Sequence, residues 1–161
     1  MKRRDLPFQD WGLKAIAKGR KTLTSRCSGL AAVNKDPDKW ELLGRVPDGR
    51  WHFGLVDDHT FSILCSCPWQ VGQVYPPANV RVTAIMPKRV QNMTTNELVA
   101  EGIDDLRKWL CAQSPKALLP EEWGDMESVF LCGWDSIHRR DVNNRYNRNP
   151  WRWELTFEVS P

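Results

Sequence analysis

The sequence predicts an α+β protein built on a small, strongly bent antiparallel β-barrel flanked by short helices. Three observations lead there. Two hairpin signals follow one another between residues 40 and 65, and the last ten residues alternate large apolar with polar side chains. Between them, three stretches carry apolar residues at helical spacing. At 161 residues the chain suits one domain, 1–161, and can bury a core without a disulfide framework.

Asp10 is placed to cap a first helix over 11–18, with Trp11, Ala15 and Ile16 facing inward and Gly19 ending it. Lys21 to Arg26 then start a strand. Residues 27–39 read as a loop, with Asn34, Asp36, Pro37 and Asp38 as turn formers. Pro47-Asp48-Gly49 separates the runs Trp40–Val46 and Arg50–Val56, and Asp57-Asp58 separates the latter from Thr60–Cys65. A further strand covers 79–86, with Val80, Val82, Ala84 and Met86 on one face and Arg81, Thr83 and Ile85 on the other. Thr94-Thr95-Asn96-Glu97 has the Thr-x-x-Glu form of a capping box and opens a two-turn helix ending at Gly102. Helices follow over 104–113, with Leu106, Trp109 and Leu110 on one face, and over 125–138, with Met126, Val129, Phe130, Trp134 and Ile137 inward. Pro115 and Pro120 punctuate the loop between them. An Arg/Asn-rich loop, 139–149, leads into a closing strand, 150–159. There Trp151, Trp153, Leu155, Phe157 and Val159 point one way and Arg152, Glu154, Thr156 and Glu158 the other.

The net charge is only +3, but it is unevenly spread. Residues 1–26 hold eight Lys/Arg against two Asp, residues 139–152 hold five Arg against one Asp, and the middle is net acidic. This layout suits a local basic surface, or simply two solvated ends. Five cysteines without a leader-like apolar segment suit reduced thiols in a cytoplasm, and no run is long enough to span a membrane. Nine tryptophans are many for this length, and most are expected in the core or in a groove.

Three features could carry chemistry. Lys21 and Thr24 lie three apart after Gly19-Arg20. A desolvated Lys21 could act as a base and Thr24 as a nucleophile. Arg20, Lys21 and Arg26 could equally hold a phosphate, or mark only a polar strand start. Glu101 sits at the end of a short helix, where the helix dipole disfavours a carboxylate unless a cation answers it. The segment 134–153 interleaves Arg139, Arg140, Arg145, Arg148 and Arg152 with aromatics, of which Tyr146 is free to stack on a base. Cys65-Ser66-Cys67 lacks the spacing and the second pair of a zinc site, and His52, His59 and His138 are scattered, so no metal is expected. No Walker loop, dinucleotide fingerprint, Ser-His-Asp order or HExxH motif is present, and no cofactor is implied.

Several segments, taken in order, resemble the ASCH domain of the PUA-like superfamily, in the form common in bacteriophage and prophage genomes. They are Gly19-Arg20-Lys21-Thr22-Leu23-Thr24-Ser25-Arg26, the turn Cys67-Pro68-Trp69-Gln70-Val71-Gly72-Gln73, residues 90–103 ending in Glu101-Gly102-Ile103, Trp134-Asp135-Ser136-Ile137, and Asn149-Pro150-Trp151-Arg152-Trp153-Glu154-Leu155. The segment after Gly72 departs from the family, which continues Gly-Asp-x-Leu-Trp-Val-Arg-Glu where this chain has Gln73–Asn79. The resemblance implies RNA or a modified nucleoside as ligand. One branch of the family hydrolyses the N4-acetyl amide of acetylcytidine, and its catalytic Lys, Thr and Glu map onto Lys21, Thr24 and Glu101. Arg20, Arg26, Arg139, Arg140, Arg145, Tyr146 and Arg148 are the matching candidates for nucleic-acid contact. A non-catalytic accessory factor acting on a host protein, and a nuclease of the same fold, are the alternative readings.

Overall fold

The computed structural model describes residues 5–113 and 125–161. Pro115 and Pro120 lie outside the described residues, as do Lys2, Arg3 and Arg4. Among the described residues seven strands pair antiparallel in two sheets. The first has the order β1 (Leu23–Arg26), β7 (Trp151–Val159), β6 (Val80–Arg89), β5 (Val74–Tyr75), and it curls into a half-barrel. The second is the meander β2 (Trp40–Arg45), β3 (Trp51–Leu55), β4 (Ser62–Cys65), which the two hairpin signals predict. Among the described residues five α-helices complete the α+β fold: α1 (Asp10–Ala17), α2 (Ala31–Asn34), α3 (Thr95–Ala100), α4 (Ile103–Gln113) and α5 (Met126–His138).

Two clusters make the core. One lies between the sheets, where Phe53 of β3 meets Trp151 edge-on at 5.0 Å and Trp51 meets Trp153 at 6.4 Å. The other joins Leu23 and Val90 to the inner faces of α3, α4 and α5. The buried tryptophans satisfy their N–H groups as well as filling space. Trp151 donates to the Pro37 carbonyl, Trp153 to Ser28 and Trp134 to Asn144. The helix pair α4–α5 packs closely because α5 carries Gly133, where a Cβ would stand 2.7 Å from a Leu106 methyl.

Several local expectations need correction. Gln9, not Asp10, precedes the first helical residue; Asp10 lies in the first turn and serves the helix dipole there. The loop 27–39 contains α2, and buried Asn34 at its end acts as a strand mimic. Its amide donates to the Trp151 carbonyl (2.9 Å) and accepts from the Trp151 N–H (2.7 Å), closing the end of β7. In β6 a bulge between Val82 and Ala84 breaks the alternation. Beyond it Ile85 is buried and Ala84 and Met86 are exposed, because one extra residue flips every later side chain. The strand also runs on to Arg89 through Pro87, in a stretch bonded to β7 alone, so the missing N–H leaves no ladder gap. Ile137 and Val159 are exposed rather than inward. The largest discrepancy is in β7, where the polar face is buried too: Arg152 is 0% exposed and Glu154 is buried. No helix among the described residues is long and apolar enough to cross a membrane.

Candidate active site

The turn after α1 delivers the first site residues. Gly19 takes a left-handed conformation that ends the helix. Three residues on, the Thr22 N–H bonds the Ala100 carbonyl at the end of α3, and the Thr22 carbonyl accepts from the Phe157 N–H of β7. Lys21 is therefore pinned where α3, β1 and β7 meet. Its side chain is only 3% exposed, and its three ammonium protons are spoken for. Nζ donates to the Glu101 carboxylate at 2.9 Å, the Glu101 carbonyl at 2.7 Å and the Leu23 carbonyl at 2.9 Å. The Trp11 ring covers it, with Nζ 5.3 Å from the ring centre. Burial pushes the Lys21 pKa below the ordinary 10.5, against the opposing pull of Glu101.

The awkward position of Glu101 is thereby explained. It follows the last residue of α3, and Lys21 answers both its carboxylate and the helix-end carbonyl. Gly102 next to it has φ +85°, and a Cβ there would press on Lys21 Cβ at 3.3 Å and on Trp11 at 3.4 Å. Only glycine allows that turn with Lys21 and Trp11 so close.

Lys21, Thr24 and Glu101 all line one cleft of about 360 Å³, together with Ser25 and Arg26. Arg26 donates to the Thr24 hydroxyl at 2.5 Å and to the Pro7 carbonyl at 2.6 Å, and lies over the Phe8 ring at 5.2 Å. Thr24 therefore accepts from a guanidinium and keeps its own proton available. The rest of the lining is apolar and aromatic: Phe8, Trp11, Leu106, Phe130 and Trp134, with Ile137 and His138 from the end of α5. The His138 ring lies against Trp134, centres 4.4 Å apart. Burial lowers its pKa below 6.5, and Arg26 adds to this against Asp141 and Asp135. A few charged and polar groups thus share the lining with many aromatic ones, which suits a flat, mostly neutral ring carrying one polar reacting group.

The other candidates lie apart from the cleft lining. Arg20 turns outward into a two-bond pair with Asp105, at 2.9 and 2.7 Å. Arg139, Arg140, Arg145 and Arg148 are exposed. Arg145 donates to the Arg139 carbonyl and Arg148 to the Lys35 carbonyl. The half-buried Tyr146 packs its ring edge-on to Phe130, which reduces the face left for stacking. The Asn residues and Asp141 shape this loop: Asp141 accepts from the Asn143 N–H and the Asn144 amide, and Asn149 adopts φ 50°.

Sequence reasoning gave no role in the site to four residues behind the cleft and two in it, Ser25 and His138. Ser25 donates to Glu101 at 2.5 Å and accepts from Arg152 at 3.0 Å. Arg152 also donates to Glu154 (2.9 Å) and Glu97 (3.1 Å), and Lys88 donates to both carboxylates at 3.0 Å. Glu97 is thus only half of a capping box: its N–H bonds Thr94, but its side chain turns to Lys88 and Arg152. The available signal was the Arg-x-Glu alternation in β7, the central partner of both β1 and β6. This strand is buried on both faces from Trp151 to Leu155, and charges there need partners. His138 carried no signal beyond its place at the end of an amphipathic helix.

Among the described residues no group of three or more His, Cys, Asp or Glu could hold a metal ion, and the five cysteines are free thiols. The chain matches no family model, no curated protein and no solved structure.

Proposed function

We propose that the protein takes an acylated nucleobase into the cleft and hydrolyses its exocyclic amide, the N4-acylcytidine type of bond. One observation carries this reading: Lys21, Thr24 and Glu101 line a single cleft whose remaining lining is largely apolar and aromatic. The ASCH-like order of the motifs supports the same assignment.

The chemistry follows from the buried pair. In a site that excludes water, the ammonium and carboxylate lose their hydration, so proton transfer from Lys21 to Glu101 leaves a neutral amine beside a neutral acid. The Lys21 amine takes the proton of the attacking hydroxyl, Thr24 or a water. The oxygen adds to the acyl carbonyl, and Arg26 faces the oxyanion that develops. As the C–N bond breaks, Glu101 gives its proton to the leaving amine of the base. Where Thr24 is the nucleophile, water repeats the sequence on the acyl-threonine and releases the acid.

Incubation with N4-acetylcytidine is the test. Cytidine and acetate are the expected products, and Lys21→Ala is expected to reduce kcat/KM by on the order of 10²–10⁴-fold. Absence of turnover by the wild-type protein overturns the hydrolase reading.

A second reading, RNA binding, is favoured by the four exposed guanidinium side chains Arg139, Arg140, Arg145 and Arg148. Phosphate contact there makes affinity for a single strand fall as salt rises, and a flat salt dependence excludes it.

A further inference from the structure

We infer that Ser25 and Arg152 are positioning residues for the Lys21–Glu101 pair, forming the near end of a buried polar rod that runs from the cleft to Lys88. The inference rests on the proposed reaction and names two residues that the motif resemblance leaves without a role.

Strand register builds the rod. Ser25 of β1 stands opposite Glu154 of β7, and Arg152 of β7 stands opposite Lys88 of β6. With an alternation of two, these side chains share one face of the curled sheet. Glu97 of α3 packs onto the same face and closes a ring of two cations and two carboxylates: Arg152, Lys88, Glu97 and Glu154. Arg152 thereby has its charge answered away from the cleft and turns Nη1 onto Ser25. Ser25 in turn gives its hydroxyl proton to one oxygen of Glu101, while Lys21 holds the other.

The arrangement is a poor way to gain stability. Arg152 is fully buried, and its Nε has no hydrogen-bond partner among the described residues. Well-packed apolar side chains in such a place are commonly as stabilising as a buried ion network, or more so. What the rod does supply is orientation. Each Glu101 oxygen has a fixed donor, so the carboxylate cannot rotate away from Lys21 or swing freely into the cleft. Arg152 is a fixed donor on the far side of Ser25, so the serine proton is directed toward Glu101.

The test is Ser25→Ala, with Ser25→Thr restoring the hydroxyl, and it has two readouts. In the N4-acetylcytidine assay, kcat is expected to fall on the order of tenfold to a hundredfold with KM little changed, and the Thr variant to recover most of it. The second readout needs no turnover: titration of the Lys21 ammonium by ¹⁵N-detected NMR. The charged groups around Lys21 are Glu101 of α3 and Arg26 of β1, with the Trp11 ring of α1 against it. Beyond Glu101 stand Arg152 and Glu154 of β7, Glu97 of α3 and Lys88 of β6. Freeing Glu101 weakens the counter-charge, so Lys21 is expected to titrate at a lower pH in Ser25→Ala than in the wild type. An unchanged Lys21 titration overturns the positioning role whatever the turnover. An inactive wild-type protein overturns the hydrolase reading and leaves the NMR result to decide this one. If Ser25→Ala does not fold, Ser25→Cys keeps the volume with a weaker donor, and a wild-type titration in that variant counts against the inference.

Discussion

Arg20 and Lys21 are adjacent in sequence, and each reaches some eighty residues along the chain to a carboxylate beside or within α4. Their fates are opposite. Arg20 is 46% exposed and clasps Asp105 at the surface; Lys21 is 3% exposed and clasps Glu101 in the wall of a cleft. The first pair keeps most of its hydration and is screened by salt, so it acts as a tether between the turn and α4. The second has surrendered its hydration, so its protons can move between partners. One dipeptide thus divides into a fastening pair and a pair proposed to react, separated by burial and by the readier deprotonation of lysine than of arginine.

The comparison breaks most sharply at Lys21. Lys21→Met leaves Glu101 buried with its main cation gone, and is expected to abolish amide hydrolysis and destabilise the fold by about 3–5 kcal/mol. Thermal or urea unfolding checks this. The double variant Lys21→Met with Glu101→Leu removes both charges, and is expected to be more stable than the single variant while remaining inactive. If the double variant is the less stable of the two, the pair contributes more to folding than its burial allows. Gly102→Ala comes next. The left-handed turn and the 3.3 Å approach to Lys21 Cβ together predict a loss of about 1–2 kcal/mol, with a larger proportional fall in kcat because Lys21 is displaced.

Arg20→Ala has the smallest expected effect, confined to stability and fading at high salt. Its pH signature distinguishes it. The Arg20 guanidinium bonded to Asp105 holds that carboxyl below the usual aspartate value. The stabilisation is therefore present at neutral pH and lost as pH falls through the lowered Asp105 pKa. The variant lacks that acid-side loss. For Lys21 the sign is reversed in its functional sense. In the proposed reaction the pair works while it shares one proton, so activity is expected to fall as pH rises through the Lys21 pKa, which burial brings below the 10.5 of an ordinary lysine. A pH–rate profile that falls only near that ordinary value argues against the Lys21–Glu101 pair as the proton carrier.

Much of the fold was legible in local signals. Hairpin turns marked the meander, helical spacing marked α1, α4 and α5, and Gly19 marked the exit from α1. The β6 bulge was not legible, since one inserted residue leaves no mark in an alternating sequence until the partner register is known. Of the site, Lys21, Thr24 and Glu101 were each legible as residues that could carry chemistry, but they were joined only through the order of motifs, because nothing local says that residues 21 and 101 meet. Ser25 and Arg152 were hidden for a different reason. Alternation reads one face of β7 as core and assigns the other to solvent by default, whereas here α3 packs over that second face.

The Lys21–Glu101 carbonyl bond has a consequence for how the protein comes to exist. The lysine that lines the cleft also binds the carbonyl just past α3, so that helix end is completed by a residue distant along the chain. Closing the contact spans nearly half the chain, a slow and entropically expensive loop that folds late relative to any hairpin. The Lys21–Glu101 pair therefore forms only with the docking of α3, and a nascent or partly opened chain carries no half-formed pair. For the proposed reaction, the amine gains its partner and its shelter in the same event.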